Sequence, residues 1–315
     1  LKDLIQSALG GDINAIARLL SISESGSGES HRLHEALFPH GGKAHIIGIT
    51  GPAGAGKSTL IGQLAACFAP VSGKVAVIAC DPSSPASGGA LLGDRIRMRS
   101  LEADARVFVR SLASRHSRAG LPLAAFRAAD IFDACGFERI IVETVGTGQN
   151  QLDIMEAAHT IIAVSSPGLG DEIQAMKSGL LEVAHIHAIA KSDLDGAEKT
   201  LLDIKNAVRL RRQGGDTDDG WTAPVLPIDS LSGDGLEALQ QAIQAHEDFL
   251  HRGDHLADRC RWMFRARIYR EAAEQLERSF AGAPEGSVCD CIETVMLRQA
   301  TPAQAARKIL GKLEF

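Results

Sequence analysis

Hydrophobic positions near the start of the chain recur at helical spacing. Leu4, Ile5 and Leu9 form one group, and Ile13, Ile16, Leu19 and Leu20 form a second. Gly10-Gly11 separates them, so residues 1–25 are expected to form two short helices. Residues 24–32, Glu-Ser-Gly-Ser-Gly-Glu-Ser-His-Arg, have the composition of a flexible linker. The pattern then changes to short apolar runs separated by amphipathic stretches. Strands are expected at His45–Thr50, Val75–Cys80, Arg106–Val109, Arg139–Glu143, Thr160–Ser165, His185–Ala190 and Val225–Ile228. Most of these runs are continuous Val, Ile and Ala, which suits a parallel sheet covered on both faces. Strands alternating with helices imply a doubly wound, mostly parallel α/β sheet. After about residue 236 the strand pattern ends. Residues 236–280 and 286–313 read as amphipathic helices separated by Gly282-Ala283-Pro284. The expected organisation is an N-terminal helical extension and linker at 1–42, an α/β domain at 43–250, and a C-terminal helical arm at 251–315.

Composition narrows the function classes. The 315 residues are 45% hydrophobic and 23% charged, with a formal net charge of −6. These values suit a globular chain and argue against wholesale disorder. The longest apolar runs, such as His159–Ser165, are far shorter than the roughly 20 residues of a membrane span. No basic, apolar signal stretch opens the chain, so a cytoplasmic location without a membrane partner is expected. Lys and Arg do not cluster into a face for nucleic-acid phosphates, and one Tyr with two Trp offers no stacking platform for bases. Nucleic acid is therefore not an expected partner. The six Cys form no disulfide framework. Cys67, Cys80 and Cys135 lie in apolar segments and read as small buried hydrophobes.

The strongest chemical signal is Gly51-Pro52-Ala53-Gly54-Ala55-Gly56-Lys57-Ser58, followed by Thr59. It matches G-x-x-x-x-G-K-[ST] between an expected strand and an expected helix, the P-loop arrangement. Glycines let backbone N–H groups curl around a phosphate, and the helix N-terminus favours the anion. Lys57 neutralises β- and γ-phosphate oxygens, and Ser58 is a Mg²⁺ ligand candidate. Further along, Ala190-Lys191-Ser192-Asp193 resembles the guanine-reading N-K-x-D of GTPases. Asp193 would accept hydrogen bonds from guanine N1–H and its exocyclic amine, and Lys191 would lie along the base. Ala190 stands where that pattern has Asn, a loss of about 0.5–1.5 kcal/mol for one hydrogen bond. Ile228-Asp229-Ser230-Leu231 ends the last strand, where GTPases place a loop against guanine O6.

Carboxylates at strand ends complete the candidate site. Asp81 ends the second strand, and Glu143 ends the fourth in Glu143-Thr144-Val145-Gly146. Such ends form the ligand rim of an open α/β sheet. Asp94, in Gly93-Asp94-Arg95, would enter the same site or cap a helix. With Ser58, these three carboxylates suit a Mg²⁺ that keeps several waters and an attacking water beside a triphosphate.

These blocks occur in a fixed order. Asp81-Pro82-Ser83-Ser84 is followed by Gly93-Asp94-Arg95, then Val142-Glu143-Thr144-Val145-Gly146-Thr147-Gly148-Gln149. Pro167-Gly168-Leu169-Gly170-Asp171-Glu172 runs on to Gln174 and Lys177. Together with the P-loop and Ala190–Asp193, they resemble the MeaB/ArgK group of GTPases, also known as lysine/arginine/ornithine transport ATPases. The resemblance covers roughly residues 43–240 by motif. It implies a GTPase that binds GTP and GDP with Mg²⁺ and acts as a chaperone of an adenosylcobalamin-dependent acyl-CoA mutase. It also implies a homodimer formed through the C-terminal arm, and cobalamin not bound by this chain alone. A cobalamin adenosyltransferase is a further partner it allows. By the same resemblance Lys57, Asp81, Asp94, Glu143 and Lys177 carry catalysis. The segment 167–177 is a switch in which Asp171, Gln174 and Lys177 relay the mutase to the nucleotide. Lys177 would act as a finger-like cation.

One departure from the family pattern is the loop at 111–120, where Arg115, His116 and Arg118 replace small residues. With Ala190 and Asp229, it suits a member serving a hydroxyisobutyryl- or isobutyryl-CoA mutase instead of the methylmalonyl enzyme. Alternative readings are a metal-insertion GTPase for a nickel enzyme, a P-loop small-molecule kinase and the transport ATPase. Cys289-Asp290-Cys291 invites a metal reading, but two thiolates do not fill a tetrahedral site. His246, His251 and His255 with Cys260 are spaced like a helix-loop-helix face and read as solvated. His185 and His187 read as buried, hydrogen-bonded histidines. Apolar stripes at Met263, Ile268 and Ala272, and at Ala305, Ile309 and Leu313, suit core or dimer packing.

Overall fold

The structure is a computed structural model, and it describes residues 1–25, 27–81, 104–113, 121–144, 153–168, 179–213, 220–281 and 285–310. The chain divides into two compact units, Leu1–Met263 and Phe264–Phe315.

The first unit is built on seven parallel strands. They are β1 (His45–Thr50), β2 (Val75–Asp81), β3 (Val107–Ala113), β4 (Arg139–Glu143), β5 (Thr160–Ser165), β6 (Ile186–Ala190) and β7 (Val225–Ile228). Their order is β3-β2-β4-β1-β5-β6-β7. β1 lies between β4 and β5, pairing Ile47 with Ile141 and with Thr160. The chain leaves β1 for one side of the sheet and later fills the other. The C-terminal end of β1 is therefore the topological switch point where such sheets bind ligands.

Alternate strand positions feed two cores. On one face α1 (Lys2–Leu9), α2 (Ile13–Ser25), α3 (Gly28–Leu37) and α5 (Leu123–Ala134) supply Leu19, Leu33, Leu37 and Phe132 against Ile78 and Ile140. On the other, α4 (Lys57–Ser72) and α8 (Leu236–Leu250) supply Leu60, Leu64, Leu239 and Ile243 against Val77, Ile141 and Ile162. Gly48 in β1 admits the turn after β4. A Cβ there would lie 2.3 Å from Ile154 Cγ1. Short α6 (Leu180–Val183) precedes β6, and α7 (Ala197–Gln213) connects β6 to β7.

The expected linker at 24–32 is largely helix. α2 runs to Ser25 and α3 starts at Gly28. Leu33 and Leu37, one helical turn apart, are fully buried, and this burial outweighs the Gly/Ser composition. Ser30 Oγ donates to Ser23 O at 3.2 Å, and Ser23 Oγ lies 2.9 Å from His34 Nε2. The entry to β1 is fixed by Asp133, whose carboxylate accepts the N–H groups of Gly42, Lys43 and Ala44.

The helical stretch expected over 236–280 is two helices, in keeping with the helix-loop-helix spacing of His246, His251 and His255 with Cys260. α8 stops at Leu250, and α9 (His255–Ala281) begins after a turn in which Gly253 has φ +65°. The expected helical stretch 286–313 comprises α10 (Glu285–Met296) and α11 (Pro302–Leu310). Arg298 takes φ +57° between them, and Pro302 opens the second. Among the described residues no helix is long and apolar enough to cross a membrane.

Candidate functional site

The loop after β1 is shaped by its glycines. Gly51 has φ +146°, and a Cβ on it would lie 2.2 Å from Val164 O of β5. No other residue fits there without displacing backbone. Gly54 and Gly56 also take positive φ, and Gly56 precedes the first turn of α4. Ala55 is fully buried and Pro52 is buried, while Ala53, Gly54 and Thr59 are exposed. Lys57 opens α4 and is only 6% exposed. Its Nζ donates to Gly51 O at 2.9 Å and Pro52 O at 3.0 Å. The cation is thus held within the loop that would surround a phosphate.

Ser58, one residue on, donates from Oγ to Glu143 Oε1 at 3.2 Å. Glu143 ends β4 beside β1, and its side chain is buried. Thr144 Oγ1 donates to Thr50 Oγ1 at 3.0 Å, tying the two strand ends together. Asp81 ends β2, whose Ala79 pairs with Glu143, so its backbone lies on the same rim. Its side chain is outside the described set.

The second half of the site follows β6 and β7. Lys191 takes φ +56°, and its Nζ donates to Gly54 O at 2.8 Å. This bond joins the expected base-reading segment to the P-loop. Ala190 is buried beneath the loop; a Cβ on Gly56 would lie 3.6 Å from its Cβ. Asp193 is exposed. Asp229 is engaged in its own turn, accepting Leu231 N–H at 2.8 Å. The Ser232 hydroxyl, then the Leu231 N–H, lower its pKa. Ser230 is buried and Leu231 is exposed. The structure thus gathers Gly51–Thr59, Asp81, Glu143, Lys191, Asp193 and Asp229–Leu231 at the C-terminal edge of the sheet. Asp94, Gly146, Asp171, Gln174 and Lys177 lie outside the described residues, as do Arg115, His116 and Arg118.

The opposite edge of the sheet holds a cluster with no warning in sequence spacing. His45 Nε2 lies 2.7 Å from Thr160 Oγ1, which lies 2.8 Å from His246 Nδ1. His246 stacks on His185 with ring centroids 4.2 Å apart. His159 Nδ1 accepts Ile46 N–H, and His185 Nδ1 accepts Ile161 N–H. His246 is 1% exposed, so it does not belong to a solvated face, because its ring closes the base of β5. His187 is fully buried, yet neither ring nitrogen has a hydrogen-bond partner among the described residues. It therefore departs from the expected hydrogen-bonded histidine. Burial lowers the pKa of all five, to about 3 for His246 and about 4 for His159 and His187.

Among the described residues no three His, Cys, Asp or Glu side chains are placed to hold a metal. Cys289 is exposed while Cys291 is buried. Cys67 is half-buried, and Cys80 and Cys135 are buried as expected.

A parallel sheet with this loop at its switch point, and the segment after β6 tied to the loop by Lys191, is the arrangement of a P-loop nucleoside triphosphatase of the GTPase class. The chain belongs to the methylmalonyl-CoA mutase-associated GTPase MeaB family, whose model matches residues 16–285. A protein of Pyrococcus horikoshii named as a GTPase is 38% identical over 316 residues, covering 99% of this chain and 98% of that protein. GTPase ArgK of Escherichia coli is 32% identical over 250 residues, covering 77% of this chain and 75% of its own. The crystal structure of an LAO/AO transport system kinase superposes with a TM-score of 0.69 at 23% identity. It covers 98% of this chain and 96% of that one, and shares the fold. The protein is a GTP hydrolase that binds guanine nucleotide.

Proposed function

We propose that this GTPase is a chaperone of an adenosylcobalamin-dependent acyl-CoA mutase, gating cofactor loading or protection through its nucleotide state. The observation that carries this reading is the family match, a mutase-associated GTPase over residues 16–285. The partner is the methylmalonyl-CoA mutase or a related hydroxyisobutyryl- or isobutyryl-CoA mutase. Exposed Ile268, Tyr269, Ile292 and Met296 in the second unit support assembly as a homodimer.

The site's residues take roles that follow from their positions. Backbone N–H groups of Gly54 to Ser58 cradle the phosphates, with the α4 N-terminus favouring their charge. Lys57 exchanges the carbonyls of Gly51 and Pro52 for phosphate oxygens. The Ser58 hydroxyl and Glu143 carboxylate, 3.2 Å apart, form an all-oxygen donor set that suits Mg²⁺, with Asp81 and Asp94 as further candidates. Mg²⁺ supplies charge neutralisation at β- and γ-phosphate oxygens. Asp193 reads the guanine N1–H and amine edge. Glu143 and Asp81 orient the water that attacks the γ-phosphorus. The bond to the β–γ bridging oxygen breaks, giving GDP and phosphate. The segment holding Asp171, Gln174 and Lys177 carries the mutase's influence to this site.

Calorimetric titration of the mutase with the full chain, loaded with GDP or with a non-hydrolysable GTP analogue, tests the proposal. Expected affinities differ by about tenfold between the two states, the scale of ordinary coupling. Equal affinities, or no binding in either state, would overturn it.

A further inference from the structure

Two neighbouring residues hold both ends of the phosphate loop. Thr144 Oγ1 donates to Thr50 Oγ1 at 3.0 Å, and Thr50 is the residue before Gly51. Glu143 Oε1 accepts from Ser58 Oγ at 3.2 Å, and Ser58 is the residue after Lys57. The loop from Gly51 to Lys57 is thus bracketed by contacts from consecutive positions at the end of β4. The backbone agrees with the side chains. Glu143 pairs in register with Ile49, and Thr144 N–H donates to Ile49 O at 3.1 Å.

Stability does not explain the pair of hydroxyls. Thr50 is fully buried and Thr144 is 3% exposed. A buried hydroxyl pair does little more than offset its own desolvation, and two valines of the same shape would fill the space about as well. What the hydroxyls add is direction. Apolar contact between two strand ends is non-directional, whereas a hydrogen bond fixes their offset. Gly51 carries that fixed point into the loop, because its turn is closed against Val164 O. We propose that Thr144 is a positioning residue for the Mg²⁺ site, setting the Glu143 carboxylate against the Ser58 hydroxyl through its bond to Thr50. It acts through Glu143 and the loop and is not itself a ligand. This inference rests on the placement of Mg²⁺ at Ser58 and Glu143 proposed above.

Thr144→Val keeps the branched shape and removes the hydroxyl. Calorimetric titration of the GDP-saturated chain with Mg²⁺ is expected to give an affinity about tenfold weaker than native, the scale of losing a contact that orients a metal ligand. The kcat for GTP falls by a similar factor, while KM stays within about twofold, because Lys57 and the loop amides remain. Thr144→Ser keeps the hydroxyl and holds Mg²⁺ affinity within about threefold of native. Thr50→Val/Thr144→Val removes both hydroxyls of the bond. Its melting temperature equals or exceeds the native one, while its Mg²⁺ affinity stays as weak as that of Thr144→Val. If Thr144→Val does not fold, the double variant gives the same reading. Native Mg²⁺ affinity in whichever valine variant folds would overturn the inference. So would a loss in Thr144→Val that the double variant restores together with the melting temperature, because the threonine pair then serves packing alone. Ser58→Ala with native Mg²⁺ affinity would remove the metal placement and the inference with it. A weakened Ser58→Ala beside an unchanged Thr144→Val would remove the inference alone.

Discussion

Lys57→Ala is expected to lower GTP turnover by about 10²–10³-fold, the scale of losing one preorganised charge donor at a reacting centre. The side chain is 6% exposed, and its Nζ spans two carbonyls of the loop it serves, Gly51 O and Pro52 O. Those bonds keep the ammonium within the phosphate site before nucleotide arrives. No large reorganisation is then needed when a triphosphate replaces the carbonyls. Alanine removes the cation and leaves the glycine-shaped loop, whose conformation depends on Gly51 against Val164 O. Single-turnover hydrolysis with circular dichroism as a fold control measures the effect. A rate within threefold of the native chain would show that phosphate chemistry occurs elsewhere.

The second large effect is on stability in acid. Burial, followed by neighbouring cationic groups, lowers the folded pKa of His246 to about 3 and of His187 to about 4. His159 falls to about 4 for the same leading reason. An unfolded histidine titrates near 6.5. The unfolded chain therefore binds more protons than the folded one at pH values between 6.5 and about 4. Stability is fully present above 6.5 and is lost as pH falls through that window. Each buried neutral histidine contributes about 1.4 kcal/mol per pH unit there. Three of them give about 4 kcal/mol per unit, a large share of a typical 5–15 kcal/mol stability. Arg139, Arg259 and Glu247 surround the cluster. Glu247 is shared, with Oε2 2.7 Å from Arg139 Nη1 and Oε1 3.7 Å from His45 Nδ1, and burial still outweighs it in keeping His45 neutral. Urea unfolding from pH 7.5 to 4.5 measures the slope. His187→Leu, which removes two nitrogens without hydrogen-bond partners, should reduce it by about 1.4 kcal/mol per unit. A midpoint flat across this range would contradict the account.

The sheet was legible because its strands are buried on both faces. His45–Thr50, Arg139–Glu143 and Thr160–Ser165 carry short Ile/Val/Ala runs between polar ends, and the structure places β1, β4 and β5 at those bounds. The phosphate half of the site was legible for a different reason. Curling backbone around an anion needs glycine at fixed offsets, and Gly51, Gly54 and Gly56 write that need into the chain. Features set by tertiary contact were not legible. Residues 24–32 carry linker composition, but Leu33 and Leu37 find a buried face and draw α3 back to Gly28. The break at 251–254, where Gly253 takes a left-handed φ, agrees with the helix-loop-helix spacing of His246, His251 and His255 with Cys260. The histidine cluster joins β1, β5, the start of β6 and α8. Its members are up to about 200 residues apart, and local spacing carries no trace of that meeting. The engagement of the Asp229 carboxylate in its own turn was not legible either, because it depends on how the loop after β7 folds back.

This GTPase is proposed to turn over guanine nucleotide under the control of a mutase. Its most direct test is steady-state phosphate release by the full chain with GTP or ATP. Each is measured with and without an adenosylcobalamin-dependent acyl-CoA mutase from the same source. Turnover of GTP, neglect of ATP, and a rise in GTP turnover when the mutase is present are expected. Equal use of ATP, or GTP turnover indifferent to the mutase, would contradict it.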